Sequence, residues 1–430
     1  MTEREAFIAA IAAAPDDDLP RLAFADWLDE RGESPRAEFI RLQCQLHHLE
    51  LELPDFETRH NDPARAPLWE RAHALFEAHG REWFSPFCRA MGFDSTQRTQ
   101  SPRRSLLDRV LRRPVSSWDP WYLDYFGGSA GSLDMIGDAC VGSLRFSRGF
   151  INGLDLPLHR TRLPRAVAEA FRLEPVDRLT ITLDTNVRHW IALEGPHLKQ
   201  IRSIGLHPQA NRDRRQLKTF ERLANSDDWS GLREVHMHTL PGGEGLATAA
   251  SFVSALVASR LMAPVRTLSL CTNAEGLSRI GQGRSLGSVR TLQLVMSHLP
   301  PAGGVLRDSP LTRQLESLIL SGNDLGDLGV QDLLATEWPH LHTLDLGFNH
   351  LADRAAKAIR PIAHRLTELT LAGNEISDRA ALELADVLNP ATLVALCLSY
   401  TPLSEGTVSE LRSRFGERFQ FVRDVRAHDT

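Results

Sequence analysis

One arrangement of leucines occurs four times near the C-terminus and dictates how that part of the chain can be buried. Leu315, Leu318, Leu320, Asn323 and Leu325 are followed by Leu341, Leu344, Leu346, Asn349 and Leu351, then by Leu366, Leu369, Leu371, Asn374 and Ile376. A fourth copy, Leu393, Leu396, Leu398, Thr401 and Leu403, has threonine where the others have asparagine. The first positions lie 26, 25 and 27 residues apart. Alternating apolar residues at the fourth and sixth positions have the period of a strand that buries one face. The asparagine amide can bond the backbone where the chain turns off that strand. The returning segments 327–334 and 378–388 open on Asp327 and Asp378, expected as helix caps, and then carry apolar residues at helical spacing.

Weaker copies start at Val289, Val265, Leu232, Ile201 and Val176, so residues 176–430 hold about nine units. A single unit cannot bury its own apolar face, whereas stacked units bury it between neighbours. The expected fold class is therefore α/β, a solenoid whose parallel sheet lines a concave side and whose helices cover the convex one. These long, helix-bearing units resemble the ribonuclease-inhibitor type of leucine-rich repeat. The resemblance implies a right-handed α/β horseshoe.

Residues 1–52 predict an all-helical cap of three helices. Thr2 and Glu5 have capping-box spacing ahead of Phe7, Ile8 and Ile11; Asp17 or Asp18 can cap a second helix with Leu22, Phe24, Trp27 and Leu28, which Gly32 ends; Ser34-Pro35 opens a third with Phe39, Ile40, Leu42 and Leu46. So small a bundle is expected to dock on the segments C-terminal to it. The string LAFADWLDERG from Leu22 to Gly32, followed by AEFIRLQ from Ala37 to Gln43, resembles the bacterial repeat-companion domain. That resemblance implies a bacterial protein that continues into repeats, and it assigns no catalytic residue. Asp26, Glu30 and Arg31 read as the solvated face of the helix around Trp27. Residues 53–87 are expected to hold a linking helix from Pro63 to His79, stopped by Gly80. Strand-like runs at 143–146 and 149–156, within 141–175, would cover the exposed end of the solenoid.

Residues 88–140 fit neither cap nor repeats. Between Gln97 and Pro114 stand six arginines, among them Arg103, Arg104, Arg109, Arg112 and Arg113, against one acid, Asp108. Trp118, Trp121, Tyr122, Tyr125 and Phe126 come next. Arginine beside aromatics is the composition of interface hot spots and of phosphate or single-strand binding. Three readings stay open: an insertion packed on the solenoid, a protein-binding surface, or a site for an anionic ligand or nucleic acid. A formal net charge of −6 gives no global attraction to nucleic acid.

The repeat also states which residues leave the core. Third, fifth and seventh positions carry Glu234, His236 and His238, then Thr267, Ser269 and Cys271, then Gln293 and, further on, Asp345 and Cys397. Eighth positions add Met296, Phe348 and Tyr400, an apolar strip. This small, mixed, nearly neutral surface suits a protein or peptide. His207, His238 and Cys271 share the seventh position of successive units, neighbours expected about 5 Å apart. They form a candidate transition-metal row, beside the alternative that they only hydrogen-bond their surroundings.

HExxH and GxxxxGK[ST] are absent from the sequence. The five cysteines form no CxxC pair, which points to a reducing compartment without a disulfide framework. No signal-peptide pattern or run of eighteen apolar residues occurs, so cytoplasmic residence is expected. The chain therefore reads as a non-enzymatic scaffold without a cofactor, binding a protein or peptide through the concave face, the insertion or both. The alternative is a regulator of a bound enzyme, since repeats of this long type also occur in the activator of the Ran GTPase.

Overall fold

The computed structural model describes residues 1–52, 63–90, 144–157, 163–183, 195–208, 214–237, 243–272, 274–294, 303–307 and 309–422. They form two compact units, Met1–Ile204 and Gly205–Thr430.

The first unit opens with helices α1 (Glu3–Ala13), α2 (Leu19–Asp29), α3 (Ser34–Glu52) and α4 (Arg65–Ala90). Thr2 and Glu5 close the expected capping box on α1. Asp17, not Asp18, satisfies the start of α2 by accepting from Leu19 N at 2.9 Å. Asp18 is engaged elsewhere, 2.7 Å from Arg148. Gly80 does not stop α4, which runs on through Pro86. Phe84 and Phe87 continue the buried stripe of Ala72 and Leu75, and their burial outweighs the helix cost of one glycine, about 1 kcal/mol.

Strands β1 (Leu144–Ser147) and β2 (Phe150–Pro157) form an antiparallel hairpin, and β2 pairs in parallel with β3 (Arg178–Leu183). Helix α5 (Leu163–Leu173) connects β2 to β3, and β4 (Ser203–Pro208) begins at the end of this unit. The helical cap docks on the hairpin, because Phe150 shares one core with Ile8, Ile11, Phe24, Leu28 and Ile40. The hairpin tip approaches α3 so closely that a Cβ on Gly149, at φ +88°, would lie 3.3 Å from Ile40 Cα. Arg148 then reaches back, donating to Asp16 O and Pro15 O.

The second unit holds β5 (Glu234–Met237), β6 (Thr267–Leu270), β7 (Thr291–Leu294), β8 (Ser317–Ile319), β9 (Thr343–Asp345), β10 (Glu368–Thr370), β11 (Ala395–Cys397) and β12 (Phe419–Gln420). All pair in parallel and in sequence order. Leu268, Leu292, Leu318, Leu344, Leu369 and Leu396, the fourth positions, stand in one register row. Each is at most 1% exposed, and burying such a side chain contributes roughly 2 kcal/mol. Returning helices are α6 (Arg214–Ala224), α7 (Gly243–Val257), α8 (Ala274–Gln282), α9 (Gly303–Arg307), α10 (Gly326–Leu333), α11 (Asp353–Ala363), α12 (Asp378–Ala385) and α13 (Glu405–Phe415). Strand β12 lies beyond the last leucine copy and was not legible from the repeat.

Across β3 to β11, nine strands carry the repeated positions, each preceded by a buried first residue from Val176 to Leu393. The fold is an α/β solenoid. Among the described residues, no helix is long and apolar enough to cross a membrane.

Two polar ladders bind the units of this array. Asn323, Asn349 and Asn374 are at most 3% exposed. The Asn349 amide donates to Leu320 O and Gly347 O at 2.8 and 2.9 Å, while its oxygen accepts from Asn323 N and Leu325 N at 3.0 and 3.3 Å. Asn374 repeats this one unit on, accepting from Asn349 N and Leu351 N. Thr401, in the fourth copy, donates only its hydroxyl to Leu398 O. The second ladder corrects the expected caps. Ser377 caps α12 by accepting from Ala380 N, whereas Asp378 accepts from Ser404 N ahead of the next helix. Asp327 likewise serves Ala352 N and Ala355 N, and Asp353 serves Ser377 N. That bond from Ser404 holds the Asp378 carboxyl below its ordinary range.

Candidate functional site

The sheet face opposite the helices is built from alternate strand residues. Its fifth-position row runs in register through His236, Ser269, Gln293, Ile319, Asp345, Thr370 and Cys397. Neighbouring side chains stand about 4.8 Å apart along it. His236 Nε2 lies 3.5 Å from a Glu234 carboxylate oxygen. Gln293 and Cys397 are half-buried. Ser269 corrects the expectation of an accessible row: it is 1% exposed, a short side chain placed in register between the longer His236 and Gln293.

Asp345 is half-buried, and one carboxylate oxygen accepts from Gly347 N at 2.9 Å. Burial pushes its carboxyl above the ordinary range, opposed by hydrogen bonds from Ser321 and Gly347.

The eighth positions show what sequence spacing missed. In the four regular units they are Gly322, Phe348, Gly373 and Tyr400, all left-handed, at φ +68°, +54°, +64° and +60°. Glycine takes that conformation freely, whereas a large side chain there is strained by about 1 kcal/mol or more. Two units nevertheless carry aromatics, each 43% exposed. The Phe348 ring lies over Gly373, where an added Cβ would stand 2.3 Å from a ring carbon. Beyond Gly373 the Phe348 and Tyr400 rings meet at a centroid distance of 6.3 Å, inclined by 39°. The glycine is the seat that lets two rings from alternate units touch. The glycine-aromatic alternation at the eighth position of successive units was the available signal.

Other expected site residues are not brought together by the described structure. Arg103, Arg104, Arg109, Arg112, Arg113, Trp118, Trp121, Tyr122 and Tyr125 lie outside the described residues, as do His238 and Met296. Of His207 only the backbone, in β4, is described, and Cys271 is half-buried after β6. Among the described residues, no group of three His, Cys, Asp or Glu side chains is gathered as metal ligands.

A second polar centre lies inside the first unit. Arg36, 4% exposed, has its guanidinium carbon 4.6, 4.9 and 5.3 Å from the rings of Phe84, Trp83 and Phe150. Its one acidic neighbour within ion-pair reach among the described residues is Glu174, at 4.0 Å. Glu174 also accepts from Ile151 N at 2.9 Å. Burial raises the Glu174 carboxyl to about 7 against the pull of Arg36. The carboxylate clamps α3 to the segment between α5 and β3.

The geometry defines the class: an α/β solenoid of stacked strand-helix units. Within it, residues 313–334, 339–359 and 364–385 match a family described as Leucine Rich repeat. No curated protein matches the chain. A solved structure of a protein from Bacteroides fragilis aligns with 53% of this chain and 67% of its own, at 13% identity and a TM-score of 0.38.

Proposed function

We propose that this chain is a non-catalytic interaction scaffold that holds a protein or peptide on the open face of its leucine-rich repeats. The observation that carries the reading is the exposed Phe348–Tyr400 pair. Its aromatics occupy backbone positions where glycine is cheaper, and each still leaves 43% of its surface exposed. Aromatic side chains anchor interfaces because they bury a large area at a small entropic cost. A preformed sheet further avoids the ordering cost of a flexible binder. On this reading residues 1–52 act as a repeat-companion cap of a bacterial, cytoplasmic protein. Glu234, His236, Gln293 and Asp345 extend the contact surface along the strands, and the arginine-aromatic stretch from Arg103 to Tyr125 supplies a second one.

The test is recovery of bound proteins by the full chain and by a Phe348→Gly/Tyr400→Gly variant with unchanged circular dichroism. A partner retained by the first and lost by the second supports the reading. Identical recoveries, with no protection of 343–350, 368–375 and 395–400 from hydrogen exchange in any complex, would reject it.

A further inference from the structure

The four regular units that carry the aromatic pair also carry carboxylates. Along their open face and the turn after each strand stand Asp324, Asp345, Glu368 and Glu375. Asp324, Glu368 and Glu375 are exposed. At the third, fifth, seventh, eighth and tenth positions of these units there is no lysine or arginine. The only base there is His350, whose Nε2 lies 3.3 Å from an Asp324 carboxylate oxygen. The surface thus combines exposed carboxylates with two electron-rich rings, each 43% exposed, the Phe348 ring seated on Gly373. Cations are drawn to ring faces by the quadrupole and to the carboxylates by Coulomb attraction, and an acidic partner is repelled by both. The seventh positions, Ser321, Gly347, Ala372 and Ser399, are small.

We infer that this face binds an extended, arginine- or lysine-rich peptide segment of another protein, with one cationic side chain stacked on Phe348 and Tyr400 and others paired with the carboxylates. The inference rests on reading the open face as an interaction surface and adds the chemistry of its partner. It makes the third-position Glu368 and the turn residue Glu375 specificity determinants rather than solvated bystanders.

The experiment is fluorescence anisotropy of the full chain with a fluorescein-labelled peptide of alternating arginine and glycine, and with the same peptide carrying glutamate in place of arginine. Binding of the arginine peptide alone is expected. It should weaken about fivefold in Phe348→Gly and in Tyr400→Gly, and comparably in Glu368→Gln/Glu375→Gln. Raising salt from about 0.05 to about 0.5 M should weaken it further, because exposed charges are screened. Phe348→Gly and Tyr400→Gly relieve a left-handed backbone, so loss of binding cannot be assigned to loss of fold when the melting temperature holds.

Equal binding of the glutamate peptide, lost in the ring variants, overturns the basic partner while leaving the face as an interaction surface. Arginine-peptide binding unaffected by any of these variants overturns both. No binding of the arginine peptide at millimolar protein overturns the basic partner, and the broader reading then stands or falls on the recovery assay.

Discussion

Replacing Asn349 with alanine removes one side chain and strands two backbone amides. Asn323 N and Leu325 N lose their acceptor in a site that is 0% exposed at Asn349, while Leu320 O and Gly347 O each lose one donor and keep another, Asn323 Nδ2 and Gly322 N. A buried backbone group left without its partner costs about 1 to 3 kcal/mol. Taking the low end for each of the two amides, because the turn can relax, Asn349→Ala should destabilise the second unit by about 2 kcal/mol. Thr401→Ala provides an internal control, since Thr401 makes a single such bond to Leu398 O and should cost about 1 kcal/mol. Repeat arrays need not unfold in one step, so urea titration by circular dichroism should be paired with hydrogen exchange followed by mass spectrometry over 318–330. The Asn323 and Leu325 amides should exchange much faster in Asn349→Ala while those of 395–403 change little. Equal costs for the two substitutions, or unchanged protection at Asn323 and Leu325, would refute the ladder as a source of stability.

Packing and charge lead to three more expected outcomes. A carboxyl raised by folding stabilises least when ionised, so the contribution of Glu174 should be most favourable below about pH 4.3 and be lost as pH rises through about 7; urea midpoints between about pH 5 and 8 should fall in the wild type and flatten in Glu174→Gln. Arg36→Met alone should cost about 3 to 5 kcal/mol by leaving Glu174 unpaired, and Arg36→Met/Glu174→Gln should recover most of it, as read by thermal melts; a double variant no better than the single would sink the pairing. Gly373→Ala should cost about 1 to 2 kcal/mol for its backbone at φ +64° and should also expel the Phe348 ring. In a Phe348→Gly background only the backbone part should remain, and a double-mutant cycle without coupling would show that the ring does not rest there.

What could be read before folding was whatever the repeat states locally. Leucine spacing placed the strands β5 to β11 and their register, because a one-residue slip would turn every fourth-position leucine outward. The ladder asparagines were legible for the same reason. Features made by distant residues were not: Arg36 and Glu174 are 138 positions apart and belong to no shared pattern. Gly80 misled because glycine is a helix terminator only where the apolar stripe also ends, and Trp83, Phe84 and Phe87 carry it on. The acidic residues at helix starts were correctly located but wrongly assigned, since Asp378 and Asp327 act on the next unit and not on their own helix. At the candidate site the rings were visible in the sequence as a scattered strip, and their contact required knowing that Gly373 leaves room between them.

The direction of the asparagine ladder also sets an order of events on the ribosome. Asn349 finishes the turn made by Asn323 and Leu325, and Asn374 finishes that of Asn349 and Leu351, so a turn is closed only by residues synthesised 26 or 25 positions later. At about 5 to 20 residues per second, the newest turn of a nascent array waits roughly one to five seconds for its lock. During that interval its amides are open to water, and a chaperone or a wrong neighbour has its opportunity at the growing end of the array.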